Sequence, residues 1–453
     1  MFKKILIANR GEIAVRIIRT CKEMGIKTVV VYSKADENAL AVQNADEAYC
    51  IGPASIKDSY LNIHNIISTA VLTKADAVHP GYGLLSENIR FAQVCRSHNI
   101  TFIGPSPESI SMMGDKAMAR ETMIKGGVPV VPGSPCLEDT DTAMEYAQKI
   151  GYPIMLKAVS GGGGKGMRVI RSADELLKQF PIAQNEALVS FGDARMYLEK
   201  FIEHARHIEF QILADQYGET VHLGERDCSS QRRNQKLVEE SPSSAISSEI
   251  RHLMGEYAVK AGKACGYSTV GTVEFIYDLN EDNFYFMEMN TRIQVEHPVT
   301  EEITSLDLIK HQILTAYGEK LNFRQNDVSL RGHAIECRIN AEDPFNNFAP
   351  STGKITKWCL PGGLGIRVDS HIYEGALITP FYDSLLAKLI TFGNTRDEAI
   401  LRMERALSEF KVEGVKTTIP FHRAFLKTEN FKKGDISTSF VERKLENILM
   451  TLK

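Results

Sequence analysis

Hydrophobic positions change their period along the first hundred residues of the chain. Residues 4–8 and 28–32 are short continuous runs rich in Ile and Val, as in buried strands, whereas residues 11–24 carry apolar side chains at helical spacing. Further short apolar runs at residues 77–79 and 101–103 each end in a turn rich in Gly and Pro. This alternation predicts an α/β domain with a parallel sheet, and ligands of such sheets usually lie beside these turns.

The pattern divides the chain into three predicted domains. The first spans residues 1–114. From 115 to 203 the pattern changes to a small α+β insert whose strands flank the segment SGGGGKGM. The four consecutive glycines at 161–164 leave the backbone conformationally free, which suits a loop that folds over a ligand and opens again. The third domain, 204–453, continues with strands and helices, among them a helix at 396–410 whose apolar residues indicate core packing.

Polar residues on even positions alternate with a mainly apolar face of odd-numbered residues on either side of residue 290: Tyr285, Met287, Met289, Ile293 and Val295. The polar members on even positions are Glu288, Asn290, Arg292, Gln294 and Glu296. If the extended conformation persists to residue 296, their side chains form one row on one face of a strand. A half-solvated edge strand would show the same alternation, so the pattern alone leaves both interpretations open.

A neighbouring segment favours a binding site. Residues 271–277 form a second predicted strand, and residues 278–283, DLNEDN, have the composition of a turn. Pairing the two strands across this turn places Glu274 opposite Glu288, about 5 Å away. Such carboxylates repel unless a cation lies between them, and with the Asn290 carbonyl they offer hard oxygen ligands suited to Mg²⁺ or Mn²⁺. A solvated acidic hairpin is the alternative.

A magnesium site implies phosphates, and the insert offers a cradle for them. Backbone N–H groups of the glycine-rich loop can bind phosphate oxygens, and Lys116 and Lys157 supply positive charge. The loop differs from Gly-x-x-x-x-Gly-Lys-Ser/Thr, and the first turn lacks Gly-x-Gly-x-x-Gly, which disfavours P-loop and NAD-binding proteins. Two further segments are candidates: the alternating strand at 206–214, with His207, and the charged stretch 225–240, either an anion site or a solvated face.

Length, charge and cysteine usage narrow the class of protein. With 453 residues and 43% hydrophobic content, the chain can form several domains with their own cores. Lys and Arg total 53 against 57 Asp and Glu, so the net charge of −4 gives no case for nucleic acid or an anionic membrane. The sequence has no membrane-length apolar run and no signal peptide pattern, and its eight cysteines lack zinc spacing. A cytoplasmic location with reduced thiols is expected.

Motifs along essentially the whole chain resemble one family. In order, they are KKILIANRGEIAVRIIR, DAVHPGYGLLSEN, FIGP, SGGGGKGM, MYLEKFIE, GERDCSSQRRNQK, GTVEF, FMEMNTRIQVEHPVTE, GHAIECRINAEDP and PFYDSLLAKLI. The chain is similar to the ATP-grasp superfamily and, within it, to the biotin carboxylase component of acetyl-CoA carboxylase. The resemblance implies an α/β protein with an ATP-grasp fold: a Rossmann-like N-terminal domain, a mobile glycine-rich lid and a C-terminal α+β domain.

The resemblance also implies the members of the site. For ATP they are Lys116, Lys157, Gly163, Gly164, Glu199, Lys200, Phe201, Ile202, His207, Gln231 and Asn234, and for two divalent ions Glu274, Glu288 and Asn290. For bicarbonate and biotin they are Lys236, Arg292, Gln294, Val295, Glu296 and Arg338, with catalytic roles for Lys236, Arg292, Glu296 and Arg338. Glu296 would take the proton of bicarbonate as it attacks the γ-phosphate, and carboxyphosphate would break down in a closed site. Arg338 would stabilise the enolate-like oxygen of biotin.

One position departs from the family pattern. Asn234 stands where many bacterial members carry His, and because Asn cannot carry a proton charge, no titrating role is expected there. It also keeps subunits of pyruvate and propionyl-CoA carboxylases open as alternatives. The sequence contains no Ala-Met-Lys-Met biotinylation motif. The resemblance therefore implies biotin on a separate carrier protein, with carboxyltransferase subunits as partners and a homodimer as the assembly.

Two other functions are compatible with part of this pattern. Another ATP-grasp ligase, such as a carbamoyl-phosphate synthetase half or an amino-acid ligase, would share the glycine loop and the metal ligands. It should lack the Arg292-x-Gln-x-Glu296 run together with the Arg338 segment. A catalytically silent ATP-binding regulatory subunit would be free to lose Lys236 and these residues, whereas this chain retains them.

Overall fold

The computed structural model describes residues 1–160 and 166–451. Gly163 and Gly164, predicted to bind ATP, lie outside the described residues, as does the rest of the four-glycine run. Across the described ranges, no helix has the length and apolar content needed to cross a membrane. The eight cysteines are free thiols, as their spacing predicts.

The N-terminal region is a parallel sheet with helices on both faces. Its elements are β1 (Lys4–Ile7), α1 (Gly11–Glu23), β2 (Lys27–Ser33), α2 (Leu40–Asn44), β3 (Glu47–Gly52), α3 (Ile63–Thr73), β4 (Ala77–His79), α4 (Ile89–Ser97), β5 (Thr101–Phe102) and α5 (Pro107–Gly114). The strands lie in the order β3-β2-β1-β4-β5, and each pair is parallel. Ile5 packs with Ile17 of α1 on one face, and Leu6 packs with Phe91 of α4 on the other. The predicted α/β fold is confirmed.

The insert is a small antiparallel sheet covered by helices. It contains α6 (Lys116–Lys125), α7 (Thr140–Ile150), β6 (Ile154–Ala158), β7 (Met167–Ile170), α8 (Ala173–Phe191) and β8 (Met196–Lys200). Of these, α6 packs in a separate core, with Phe210 of the sheet that follows. β6 lies between β7 and β8, and its Leu156 packs against Phe180 of α8. The Ser172 side chain caps α8 by accepting a hydrogen bond from the Glu175 amide, which explains why the helix begins at Ala173.

The remaining chain is built around one long antiparallel sheet. Its elements are β9 (Ala205–Ala214), β10 (Thr220–Arg232), β11 (Gln235–Ser241), α9 (Ser248–Ala264), β12 (Thr269–Asp278), β13 (Asn283–Asn290), α10 (His297–Thr304), α11 (Leu308–Tyr317), β14 (His333–Asn340), β15 (Glu342–Asp343), β16 (Ala349–Pro350), β17 (Gly353–Lys354), β18 (Lys357–Cys359), β19 (Ile366–Ser370), β20 (Leu377–Ile378), β21 (Leu385–Gly393), α12 (Arg396–Glu409), β22 (Lys411–Glu413), α13 (Ile419–Phe425), α14 (Glu429–Lys432) and α15 (Phe440–Met450). Short 3-10 helices occupy Lys34–Asp36, Gln325–Asp327 and Pro344–Asn346.

This sheet joins segments that are far apart in sequence. Its strand order in the described part of the chain is β13-β12-β9-β10-β11-β14-β21-β19. Neighbouring strands therefore bring Glu239 of β11 beside Glu336 of β14, and Arg338 of β14 beside Lys388 of β21. A continuous wall of charged side chains results, since side chains two residues apart on one strand share a face.

Candidate active site

A cavity of about 1430 Å³ opens between the N-terminal sheet, the insert and the long sheet. Tyr82 comes from the first of these, Arg120 from the second and Glu342 from the third. The predicted site residues that the structure describes all line this cavity: Lys116, Lys157, Glu199, Lys200, Phe201, Ile202, His207, Gln231, Asn234, Lys236, Glu274, Glu288, Asn290, Arg292, Gln294, Val295, Glu296 and Arg338. Positions more than 200 residues apart in sequence are thus brought to one place.

The β12–β13 hairpin forms one wall of the cavity. Its register places Glu274 opposite Glu288, so the predicted pairing is confirmed. A β-bulge at Met287 then reverses the alternation toward the turn. Phe286 consequently packs in the core while Met287 is 43% exposed. The predicted apolar face of odd-numbered residues is therefore wrong for the first half of β13.

β13 ends at Asn290, short of the extended segment to residue 296 that the alternation predicts. The Thr291 amide donates to Glu87 Oε1 at 3.1 Å instead of to a neighbouring strand, and the chain bends away. Glu296 becomes the N-cap residue of α10. The prediction of five polar side chains in one strand row is wrong, because the last three lie on this bend and the turn after it.

Glu274 nevertheless gathers several predicted residues around its carboxylate. Its Oε1 accepts hydrogen bonds from Asn290 Nδ2 at 2.6 Å and Gln294 Nε2 at 2.8 Å, and lies 3.2 Å from Lys236 Nζ. His207 Nε2 lies 2.7 Å from the other oxygen. Burial would raise the pKa of Glu274, but Lys236 and His207 hold it well below its usual value, so the carboxylate is ionised.

Glu288 has the opposite electrostatic environment. Burial and the negative charge of Glu274 raise the pKa of the Glu288 carboxyl. A divalent cation between the two carboxylates would remove this repulsion, and the carbonyl oxygen of Asn290 is a further hard ligand. The donor set therefore fits Mg²⁺ or Mn²⁺.

Glu296 lies between two cations. Its Oε1 is 2.6 Å from Lys236 Nζ, and its Oε2 is 2.8 Å from Arg338 Nη2. The side chain is almost fully buried. Burial would raise the pKa of Glu296, but Lys236, Arg338 and Arg226 together hold it far below its usual value. The site thus contains an ionised carboxylate whose positive partners face the cavity.

Sequence patterns did not single out two further groups that hold the site residues in place. Glu87 Oε2 accepts from Arg292 Nε at 2.9 Å and thereby orients its guanidinium. Arg226, with no exposed surface, donates to Glu209 at 2.5 Å and to Gln294 Oε1 at 2.6 Å. Glu87 lies in the motif DAVHPGYGLLSEN and Arg226 lies in the charged stretch 225–240, so the sequence marks both segments as candidates. It does not show which distant residue each side chain contacts.

The charged stretch 225–240 forms β10, a tight turn and β11. Arg233 and Asn234 occupy the turn with φ of 49° and 60°, as in two-residue hairpin turns, where Asn is favoured. Asn234 is exposed at the rim of the cavity, whereas Gln231 is buried and Lys236 is half-buried in its wall. A solvated face is therefore wrong for most of this stretch.

The other end of the cavity carries the remaining cations. Lys157 forms an ion pair with Glu199, and Arg120 Nη1 lies 3.7 Å from the same carboxylate. Lys116 is the first residue of α6 and faces the cavity. Lys200 instead donates to the Gly151 carbonyl at 3.1 Å, so its side chain supports the insert. This end has the positive groups that a polyphosphate requires.

Comparison with known proteins identifies the family. Residues 1–110 match the family model for the biotin carboxylase N-terminal domain, and residues 336–443 match that for its C-terminal domain. Residues 115–324 match the carbamoyl-phosphate synthase L chain ATP-binding domain. The chain is 61% identical to biotin carboxylase 1 of Bacillus subtilis over 443 residues, which is 98% of each protein.

Solved structures agree with this match. The biotin carboxylase domain dimer of 2-oxoglutarate carboxylase from Hydrogenobacter thermophilus, in complex with MgADP, ADP and bicarbonate, is 51% identical with a TM-score of 0.93 over 99% of each chain. Biotin carboxylase from Campylobacter jejuni, in a β-γ-ATP complex, is 47% identical with a TM-score of 0.93 over 98% of this chain and 99% of that one. The chain belongs to the biotin carboxylase family.

Proposed function

We propose that the protein carboxylates biotin on a carrier protein, using ATP and bicarbonate. This is the first half-reaction of acetyl-CoA carboxylase, and the same half-reaction serves pyruvate and propionyl-CoA carboxylases. One observation carries the proposal: the Lys236–Glu296–Arg338 contact adjoins the Glu274–Glu288 pair in one cavity. Phosphoryl transfer to bicarbonate requires an anion site with a carboxylate base beside a site for a metal-bound phosphate, and this arrangement of contacts supports both.

Arg292, Lys236, Gln294 and the Val295 amide hold bicarbonate, and Glu296 takes its proton as it attacks the γ-phosphate. Lys236 and Arg338 keep the pKa of Glu296 low in the free protein. A bound anion shares the positive charge of these partners, which weakens their hold on Glu296 and raises its pKa toward the range of an effective base. The proton affinity of Glu296 is thereby coupled to binding of bicarbonate.

ATP is bound by Lys116, Lys157, Gly163, Gly164, the segment Glu199, Lys200, Phe201 and Ile202, and by His207, Gln231 and Asn234. Glu274, Glu288 and Asn290 would hold two divalent ions, which would neutralise charge on the phosphates. Glu199 keeps Lys157 at the cavity wall through their ion pair. After carboxyphosphate releases CO₂, the phosphate takes the proton of the biotin ureido nitrogen, and Arg338 stabilises the enolate-like oxygen that results.

The proposed domains follow the boundaries of the sheets. The parallel sheet and its helices occupy residues 1–114, the lid occupies residues 115–203, and the long sheet starts at β9, within the catalytic part 204–453. The proposed partners are a biotin carboxyl carrier protein and carboxyltransferase subunits, and the proposed assembly is a homodimer, as the Hydrogenobacter thermophilus domain is a dimer. A catalytically silent regulatory subunit is not supported, because the charged residues of the site contact one another at short distances.

The proposed function predicts bicarbonate-dependent ATP hydrolysis that rises when free biotin is added. Free biotin stands in for the carrier-bound group, because both present the same ureido nitrogen. Phosphate release by the purified protein with Mg²⁺ is measured with and without bicarbonate and biotin. ATP hydrolysis that responds to neither substrate would contradict the proposal.

A second prediction concerns the metal ligands. Glu274→Gln should raise the Mg²⁺ concentration needed for half-maximal turnover by roughly tenfold or more, because a neutral amide replaces an ionised ligand. Glu281→Gln, which changes an exposed carboxylate in the turn of the same hairpin, is the matched control. Superimposable Mg²⁺ titrations for the two variants would remove Glu274 from the metal site.

A further inference from the structure

Lys388 of β21 is a fully buried lysine outside the expected site. Its side chain has no exposed surface, although an ammonium group is costly to bury. Ile390, which shares its face of the strand, is apolar and equally buried. Apolar packing in this region therefore does not require a charge, and replacement of buried ion pairs by hydrophobic residues is often neutral or stabilising. The contacts of the ammonium group indicate what it does.

The ammonium group contacts the segment 292–296, whose residues are proposed to bind bicarbonate. Lys388 Nζ donates to the Val295 carbonyl at 2.9 Å. This carbonyl belongs to the peptide bond that leads into Glu296, the N-cap residue of α10. A charge-assisted hydrogen bond at this point fixes the orientation of that peptide. The backbone on either side carries the Val295 amide and the Glu296 carboxylate.

The same ammonium group is held from two other elements. Glu12 Oε1 of α1 lies 3.1 Å from Nζ, and Asp369 Oδ2 of β19 lies 4.0 Å away. Glu12 also accepts from the Tyr82 hydroxyl at 2.5 Å, and Tyr82 lines the cavity. Lys388 thus ties the Val295–Glu296 peptide to the N-terminal domain and to the edge of the long sheet.

We propose that Lys388 is a positioning residue for bicarbonate, acting through its hydrogen bond to the Val295 carbonyl. It touches no substrate itself. The inference rests on the proposed function, because that function assigns the Val295 amide and Glu296, which Lys388 would hold in place, to bicarbonate. Loss of the contact should misplace the Val295 amide and Glu296 together, and leave the ATP end of the cavity unchanged.

The test compares two substrates of the full-length protein. For Lys388→Met, kcat/KM for bicarbonate should fall about tenfold or more, while the Kd of Mg-ATP stays within about twofold of the wild type. Because Glu12 would lose its counter-ion, the double variant Lys388→Met/Glu12→Gln is measured as well, with Glu12→Gln alone as its reference. The double variant removes the Glu12 charge that Lys388→Met alone would leave buried without its counter-ion.

Arg396→Met is the matched control. Arg396 is also a mostly buried cation: it pairs with the Glu240 carboxylate and donates to the Phe431 carbonyl. Unlike the segment that Lys388 contacts, it does not line the cavity. This variant should lower Tm and leave bicarbonate kinetics unchanged.

Three results would overturn the role of Lys388. They are unchanged kcat/KM for bicarbonate in the folded Lys388 variants, an equal loss in Arg396→Met, or failure of both Lys388 variants to fold where Arg396→Met folds. Wild-type ATP cleavage that ignores bicarbonate would instead defeat the proposed function.

Discussion

Glu296→Gln is expected to lower kcat by roughly 10²-fold or more, because the amide cannot accept the proton of bicarbonate. Gln preserves the size of the side chain and its ability to accept a hydrogen bond from Lys236 or Arg338, so Mg-ATP should still bind. Phosphate release at saturating ATP and bicarbonate gives kcat, and an equilibrium binding measurement gives the Kd of Mg-ATP. The variant therefore distinguishes loss of the catalytic base, which lowers kcat, from loss of ATP binding, which would raise the Kd of Mg-ATP.

Glu302→Gln serves as the control for Glu296→Gln. Glu302 lies on α10, the helix that Glu296 caps, and pairs with Arg367 at 3.3 Å away from the cavity. Its kcat should equal that of the wild type. Near-normal kcat in Glu296→Gln itself would remove Glu296 as the base.

Arg338→Gln should abolish the stimulation of ATP cleavage by biotin and lower carboxybiotin formation by roughly 10²-fold or more. The guanidinium supplies the positive charge that the enolate-like oxygen of biotin requires, and Glu239 holds it from behind at 2.6 Å. The biotin-independent rate should fall less, since Glu296 and Lys236 remain. Carboxybiotin is measured from labelled bicarbonate, alongside phosphate release with and without biotin.

Arg402→Gln is the control for the arginine variant. Arg402 pairs with Glu398 within α12 and does not border the cavity, so biotin stimulation should be preserved. If Arg338→Gln retained normal stimulation by biotin, Arg338 would have no direct part in carboxyl transfer to biotin.

Local patterns predicted the elements of the fold well. Helix α12, predicted at residues 396–410, follows from the helical spacing of its apolar residues, and the Glu274–Glu288 register follows from a turn within one hairpin. In both cases the residues that determine the structure lie within about twenty positions of each other. Period and turn composition are sufficient at that range.

The predicted row of polar side chains is wrong where contacts between distant segments determine the backbone. Glu87 takes the Thr291 amide from a position 204 residues away, so the strand ends although the alternation continues. The bulge at Met287 likewise cannot be deduced from alternation, because it depends on how two strands fit together.

Lys388 and Arg226 show the same limit at the site. Each is a charged residue in a strand, and sequence alone favours an exposed position for it. Lys388 contacts Val295, 93 residues away, and Arg226 contacts Gln294, 68 residues away. These contacts exist because the long sheet brings the segments together. The family resemblance implied residues that line the cavity, but it named neither Lys388 nor Arg226.

The most direct test of the account follows the oxygen atoms of bicarbonate. If bicarbonate attacks the γ-phosphate with Glu296 as base, its oxygen stays on phosphorus when carboxyphosphate breaks into CO₂ and phosphate. With ¹⁸O-labelled bicarbonate, ATP and biotin, each phosphate released should therefore carry one labelled oxygen, as measured by mass spectrometry. Phosphate whose new oxygen comes from the solvent would show that water attacks ATP, and would contradict the account.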